Sequence, residues 1–385
     1  MSFKGLFSRS LSANPNRLHF AAHSHHLWPD ASFEGHLEAW NDAARYADRK
    51  WDRVMGEIWP SAQAEVAAEL GTQQPQAIVF APNTHELLVR LLASVPCPLP
   101  VRVLTSDAEF HSARRQLERL EEAGIARVER VPAEPFDTFS GRFLERARTC
   151  SHDFIFVSQL LFGSGRTFDR LEELAGLGAL EGPWVVVDGY HAFMALAHPF
   201  GKSASKTAFY LGGGYKYAMS GEGCAFMHAP PGFAPRPPIT GWFAEFEDLS
   251  LPPGRVGYAK DASRFLGATF DPSALYRFVA VRRMLADNGL STARISAHCE
   301  RLQERLLRAF SATALGRAEL LNPLDGGPHG RFLAFRSPDA QRWHSDMKEK
   351  NCITDVRGDV LRIGFGIYQD EEDVDRLVEL LGTLR

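Results

Sequence analysis

The sequence predicts an α/β fold: a large domain built on a mostly parallel central sheet, followed by a smaller α/β C-terminal domain. Two observations carry this. Short apolar runs such as DFIFVSQLLF and PWVVVD have the length and the β-branched content of strands buried on both faces, and they alternate with stretches of helical period. A chain of 385 residues is also long enough for one large core and a second, smaller one.

Taken in order, HLEAWNDAARYADRKWDRVMGEIWPSAQAEVAAELG is helical in period, with Pro60 marking a break between two helices. QAIVFAPNTHELLVRLLASV reads as strand, loop and helix. VRVLTSDAEFHSARRQLERLEEAG repeats the pattern, and IARVERVPA adds a strand. DFIFVSQLLFGSG and PWVVVDGYHAF are further buried strands, followed by FYLGGG and GEGCAFMHA. PPGFAPRPP holds too much proline for regular structure. A long helical block, SALYRFVAVRRMLADNGLSTARISAHCERLQERLLRAF, leads into a last stretch of strands and helices ending in EEDVDRLVELLGTLR. The expected division is an N-terminal segment (1–44) joining the small domain, a large domain (45–270) and a small C-terminal domain (271–385).

Bulk composition narrows the partners. Lysine and arginine number 43 against 47 acidic residues, a net charge of −4, and no basic stripe suggests nucleic acid. The apolar runs are too short to span a bilayer, and MSFKGLFSRSLSANPNRLHF does not read as a secretion signal. Five scattered cysteines (Cys97, Cys150, Cys224, Cys299, Cys352) without a C-x-x-C pair fit reduced thiols, so a cytoplasmic location is expected.

The chemistry concentrates between Asp188 and Lys216. WVVVD puts an acid at the end of a buried strand, and 28 residues later LGGGYKYA offers a lysine after three glycines. Such a pair suits pyridoxal 5′-phosphate (PLP). The lysine forms a Schiff base with the aldehyde, and the acid keeps the pyridine nitrogen protonated, so that the ring acts as an electron sink. In open α/β sheets ligands sit beyond the carboxyl ends of the strands, and here those ends read PNTHE, AEFHS, SQLLFGSG and DGYHA. PNTHELL opens a helix whose first N–H groups suit a phosphate, with Thr84 and the backbone of His85 as candidates; Asn83 or Thr84 as a helix cap is equally compatible. The cluster His23, His25 and His26 in AAHSHHLWPD has no acidic neighbours at ligand spacing, so no metal is expected, and His25 or His26 is read as meeting a substrate side chain.

Several pieces in the right order make the chain resemble kynureninases, within the class V aminotransferase group of fold-type I PLP enzymes: YKYAMSGEGCAFMH around Lys216, TGWF at Thr240–Phe243, and DVRGDVLRIGFGIYQDEEDVDRLVELL near the end. The resemblance covers the chain from about residue 20 onward. It implies catalytic roles for Lys216, Asp188 and His191, the last close to the cofactor's phenolic oxygen. It places Phe110 where the group stacks an aromatic ring on the cofactor, gives Tyr215 and Trp242 to the phosphate, and puts Thr269 in a segment facing the site. It also implies that Arg362 holds the substrate carboxylate through its guanidinium fork, with Arg357 a rival. Arg362 stands between apolar Leu361 and Ile363, a poor fit to a solvated strand face.

Two positions depart from the kynureninase pattern. Thr269 stands where that family uses an asparagine, and no histidine lies between His36 and His85, where the family engages the aminophenyl ring near RYADRKW. Cys352, the cysteine nearest a desulfurase's nucleophile, reads as part of a buried strand. The expected function is a PLP-dependent enzyme acting on an amino acid, with kynureninase-like hydrolysis of a Cβ–Cγ bond through a Lys216 Schiff base. Transamination or β-elimination is the alternative, and a non-catalytic PLP-fold binding protein comes third. The resemblance implies a homodimer, with TGWFAEF a candidate interface segment, and neither a nucleic-acid nor a membrane partner.

Overall fold

The direction of the strands decides where ligands can enter. The computed structural model describes residues 2–245, 252, 254–324 and 327–384. Its main sheet has seven strands: β1 (Ile78–Ala81), β2 (Val101–Ser106), β3 (Ala126–Val131), β4 (Phe154–Ser158), β5 (Trp184–Asp188), β6 (Ala208–Gly213) and β7 (Ala225–His228), in the spatial order β1-β7-β6-β5-β4-β2-β3. The pairs from β3 through β6 are parallel, whereas β7 is antiparallel to both of its neighbours, so β1 runs with the majority. The loop from Gly214 to Cys224 contains no helix. A parallel return needs a longer crossover, so the chain doubles back into β7.

β4 and β6 are buried along their whole length, as is β5 up to Val187. Polar groups inside this layer are paired. Gln159 donates to the Pro199 carbonyl (2.5 Å) and accepts from the Tyr210 hydroxyl (2.8 Å). Pro60 sits in the first turn of the helix Trp59–Leu70, where its missing N–H costs nothing, after short 3₁₀, α and π turns over 47–58. The long helical block is two helices, Ser273–Asp287 and Thr292–Ala309. They part at Gly289 (φ +60°), and the Ser291 hydroxyl caps the second by accepting from the Arg294 N–H.

The C-terminal sheet is antiparallel, with β8 (Glu319–Leu320), β9 (Phe332–Arg336), β10 (Asp355–Arg357) and β11 (Val360–Gly364) in the order β10-β11-β9-β8. Gly358 and Asp359 form the two-residue turn of the β10–β11 hairpin, and Gly358 takes the positive φ that such a turn requires. The first strand of the chain, Leu18–His19, pairs parallel to Cys352–Ile353, and the Gly364 N–H donates to the Phe20 carbonyl (2.7 Å). The helix Glu371–Gly382 begins at an Asp370/Asp373 capping box, which Lys4 grips at 3.0 and 2.9 Å. Both chain ends are thus sewn to the small sheet. No helix among the described residues is long and apolar enough to cross a membrane.

The helix Asp30–Tyr46 crosses Ser273–Asp287 closely at Gly35, where an added Cβ would lie 2.7 Å from the Tyr276 carbonyl oxygen. Gly35→Ala is therefore expected to destabilise the protein by about 1–3 kcal/mol through overpacking, read as a lower denaturant midpoint at unchanged slope.

Candidate active site

Lys216 stands on the tight loop after β6. Gly213 and Gly214 make that loop possible: a Cβ on the first would collide with the Tyr190 hydroxyl, and one on the second with Ser220 Oγ. The loop closes through Met219 N–H to the Lys216 carbonyl (3.0 Å) and Ser220 N–H to the Gly214 carbonyl (2.9 Å). Lys216 is left 4% exposed, its amine 3.4 Å from the Tyr215 hydroxyl and 5.0 and 5.6 Å from the ring centres of Tyr190 and Phe110. Burial, reinforced by the positive charge of Arg362, lowers its pKa to about 7, with Asp188 and Asp355 opposing. A large share of this amine is a neutral base and nucleophile near neutral pH.

Asp188 ends β5, one strand over, and keeps part of its surface open. One carboxylate oxygen accepts from the Tyr190 N–H (2.9 Å), so the residue also serves the strand-end turn. Burial raises its pKa, while that N–H and the charge of Lys216 work against the rise. His191 is buried on the same loop, and burial, with Lys216 and Arg362 adding, holds its imidazole neutral. Phe110 caps the start of the helix His111–Glu122, its ring edge-on to Phe162 at 5.3 Å. Beneath it the buried Glu109 accepts from the Ser106 hydroxyl (2.6 Å) and from the hydroxyl (2.5 Å) and N–H (3.2 Å) of Ser158, tying the ends of β2 and β4 together. Burial raises its carboxyl pKa to about 7, against the three hydrogen bonds.

Arg362 reaches the cleft from β11 and is 2% exposed. It donates to the Phe162 carbonyl (2.5 Å) and forms a short ion pair with Asp355, its cross-strand neighbour. Asp355 also binds Arg357 at 2.9 Å, but Arg357 lies on the surface, so the buried arginine of the two is Arg362. Burial pulls the guanidinium pKa down to about 10.

The structure therefore brings Lys216, Asp188, His191, Phe110, Tyr215 and Arg362 around one cleft. Thr84 and His85 open the helix Thr84–Ser94 at the end of β1, where Asn83 Oδ1 accepts from the Glu86 N–H; Thr84 is half-buried and His85 exposed. Trp242 and Thr269 lie elsewhere. Trp242 is 45% exposed and packs on Phe243, which joins Trp51 and Phe270 in an aromatic cluster. Thr269 lines a cavity of about 480 Å³ with Ala81, Pro82, Glu86 and Gly223. Of TGWFAEF, Phe246 falls outside the described residues. His25 is exposed and stacks on Tyr215 at 5.0 Å, and His26 is buried against Tyr368. No three histidine, cysteine or acidic side chains among the described residues converge to hold a metal.

Sequence reading missed Glu109, Tyr190, Phe162, Asp355 and His23 as parts of this cleft. Tyr190 and Phe162 lay inside strand-end loops already singled out, and only their direction was illegible. Asp355 carried a faint signal, an acid in a strand beside two arginines.

Because the Lys216 pKa is lower folded than unfolded, its ammonium costs stability fully below about pH 7, and the cost fades as the pH rises toward 10.5. Lys216→Met without added cofactor is expected to melt above the wild type at pH 6–7, and the gap is expected to close by pH 10. Thermal melts across that range check it.

Comparison with known proteins follows the same lines. Residues 295–381 match the family model of the kynureninase C-terminal domain. Over 374 residues the chain is 25% identical to isopenicillin N epimerase of Streptomyces clavuligerus, covering 91% of this chain and 89% of that protein. It is 24% identical to kynureninase of Deinococcus radiodurans over 354 residues, 86% and 80% of the two. The fold matches that of a cystine C-S lyase, with TM-score 0.80 at 16% identity, over 97% of this chain and 99% of that one; a mutant of that lyase holds glycine covalently linked to its PLP cofactor. In sequence the chain is thus similar to kynureninase and to isopenicillin N epimerase, and its α/β fold is that of a cystine C-S lyase.

Proposed function

We propose that the protein is a PLP-dependent hydrolase that cleaves the Cβ–Cγ bond of an amino acid beside a γ-carbonyl, in the manner of kynureninase. The observation that carries this reading is the buried Lys216 amine, with its pKa near 7, set between Asp188 and Arg362. The residues fit the cofactor: a shielded amine for the aldehyde, a strand-end carboxyl left part open for the pyridine nitrogen, and the Phe110 ring to cover its face. Thr84, the backbone of His85 and Tyr215 would hold the phosphate, whereas Trp242 and Thr269 lie away from this cleft and take no part in it here. When bound, PLP supplies the electron sink for bond cleavage at the substrate.

The chain's own groups do the rest. Arg362 orients the substrate through its carboxylate. Lys216, as the neutral amine, takes the α-proton, and the Tyr215 hydroxyl 3.4 Å away is placed to pass a proton to or from it. Asp188 keeps its partner nitrogen protonated, and neutral His191 donates a hydrogen bond without adding charge.

A second reading draws on the epimerase likeness: the same α-proton is removed and returned to the opposite face of the α-carbon, which is epimerisation, whereas its delivery to the cofactor carbon followed by hydrolysis would release a keto acid, which is transamination. Elimination of a side-chain leaving group is a further path from the same step.

A homodimer is supported by Phe33, Leu37 and Trp40, spaced along one face of the helix Asp30–Tyr46 and left 46, 42 and 67% exposed. The five cysteines are free, which supports a reducing, cytoplasmic setting.

The purified protein is expected to bind PLP with visible absorbance that Lys216→Ala abolishes, and to release alanine and anthranilate from kynurenine. PLP binding with no turnover of kynurenine, but exchange of the α-proton of other amino acids, would select the second reading. Trp40→Lys is expected to shift the protein toward monomer in sedimentation.

A further inference from the structure

His23 is a polar side chain in the cleft whose partners are missing. It is fully buried, yet neither ring nitrogen has a hydrogen-bond partner, and Arg362 Nε is in the same condition. Buried donors left without acceptors are costly, and such a group calls for a ligand or another explanation.

The two orphans are neighbours for a simple reason. Arg362 and Gly364 are two apart on β11, so they share a face of the strand. Gly364 has no side chain there, and the His23 imidazole fills the space: a Cβ at position 364 would collide with Nδ1. Phe332, the cross-strand partner of Gly364, stacks on the imidazole at 4.7 Å and has the Arg362 guanidinium 6.0 Å from its ring centre. The backbone holds the arrangement, because Ala21 bridges to Gly364 and the Phe20 carbonyl accepts from its N–H. With Nδ1 turned to Gly364, Nε2 is the open nitrogen. It faces Asp355 Oδ2 at 4.0 Å, too far for a hydrogen bond.

We propose that His23 is a second donor to the substrate's α-carboxylate, working beside Arg362 as a determinant of which amines the enzyme accepts. One carboxylate oxygen takes the Arg362 Nε–H and the other the His23 Nε2–H, while Asp355 stays on the guanidinium and fixes its plane. Burial and the charge of Arg362 keep the imidazole neutral, so it adds a hydrogen bond without adding a like charge. The proposal rests on the amino-acid reading of the Lys216–Arg362 cleft.

The test uses PLP-loaded wild type, His23→Phe and His23→Asn, titrated with L-alanine and with ethylamine, its counterpart without a carboxylate, and followed by the cofactor's absorbance. His23→Phe keeps a ring against Phe332 but has no donor; His23→Asn keeps a donor. The Phe variant is expected to bind alanine about ten- to a hundredfold more weakly, the size of a hydrogen bond to a charged group, with ethylamine unchanged and alanine binding partly restored in the Asn variant. Equal loss for both probes, or loss for neither, would overturn the proposal and leave His23 a packing residue. A wild type whose absorbance responds to neither probe would overturn the amino-acid reading itself, and this proposal with it.

Discussion

A lysine amine shut away from water is the constraint on which the rest of this structure depends. Taking an ammonium out of solvent costs several kcal/mol, and the protein avoids much of that cost by letting Lys216 lose its proton near neutral pH. That choice governs its surroundings. Tyr190, Tyr215 and Phe110 offer ring faces, which tolerate either charge state, in place of a carboxylate that would lock the amine protonated. Asp188 is near enough to be felt but forms no ion pair with the amine. Arg362 pushes in the opposite direction and is itself restrained by Asp355.

Asp355 thus has an electrostatic part to play away from the reacting atoms. A buried guanidinium without a counter-charge would depress the Lys216 pKa further and would have no fixed plane. Paired with Asp355, and through it with Arg357 at the surface, it keeps one cationic edge free in a cleft whose net charge stays small. Glu109 plays a quieter part below Phe110, holding the ends of β2 and β4 together at the floor of the cleft.

The alternation of strands and helices was legible because fully buried strands leave continuous apolar runs, and FIFVS and WVVVD became adjacent parallel strands. The reversal of β7 was not written in its apolar pattern. It follows from the short, glycine-dependent loop around Lys216, which only a three-dimensional view reveals. Lys216, Asp188 and Arg362 were legible because their residue types stand at strand ends or within apolar strands, where chance placement is rare. His25 and His23 show the limit. They lie two residues apart in one motif, and nothing local says that His25 faces solvent while His23 is buried against Phe332. That outcome depends on Gly364, at the other end of the chain, having no side chain.

The pairing of Leu18–His19 with Cys352–Ile353 has a consequence for how the protein is made. During synthesis the N-terminal strand leaves the ribosome long before its partner exists, whereas β1 to β7 can pair among themselves as they emerge. The cleft's floor is therefore available early, and its far wall, where His23 meets Arg362 and Phe332, closes only once β11 has been made. A nascent or C-terminally clipped chain would carry the reactive lysine without the wall that sorts its substrates.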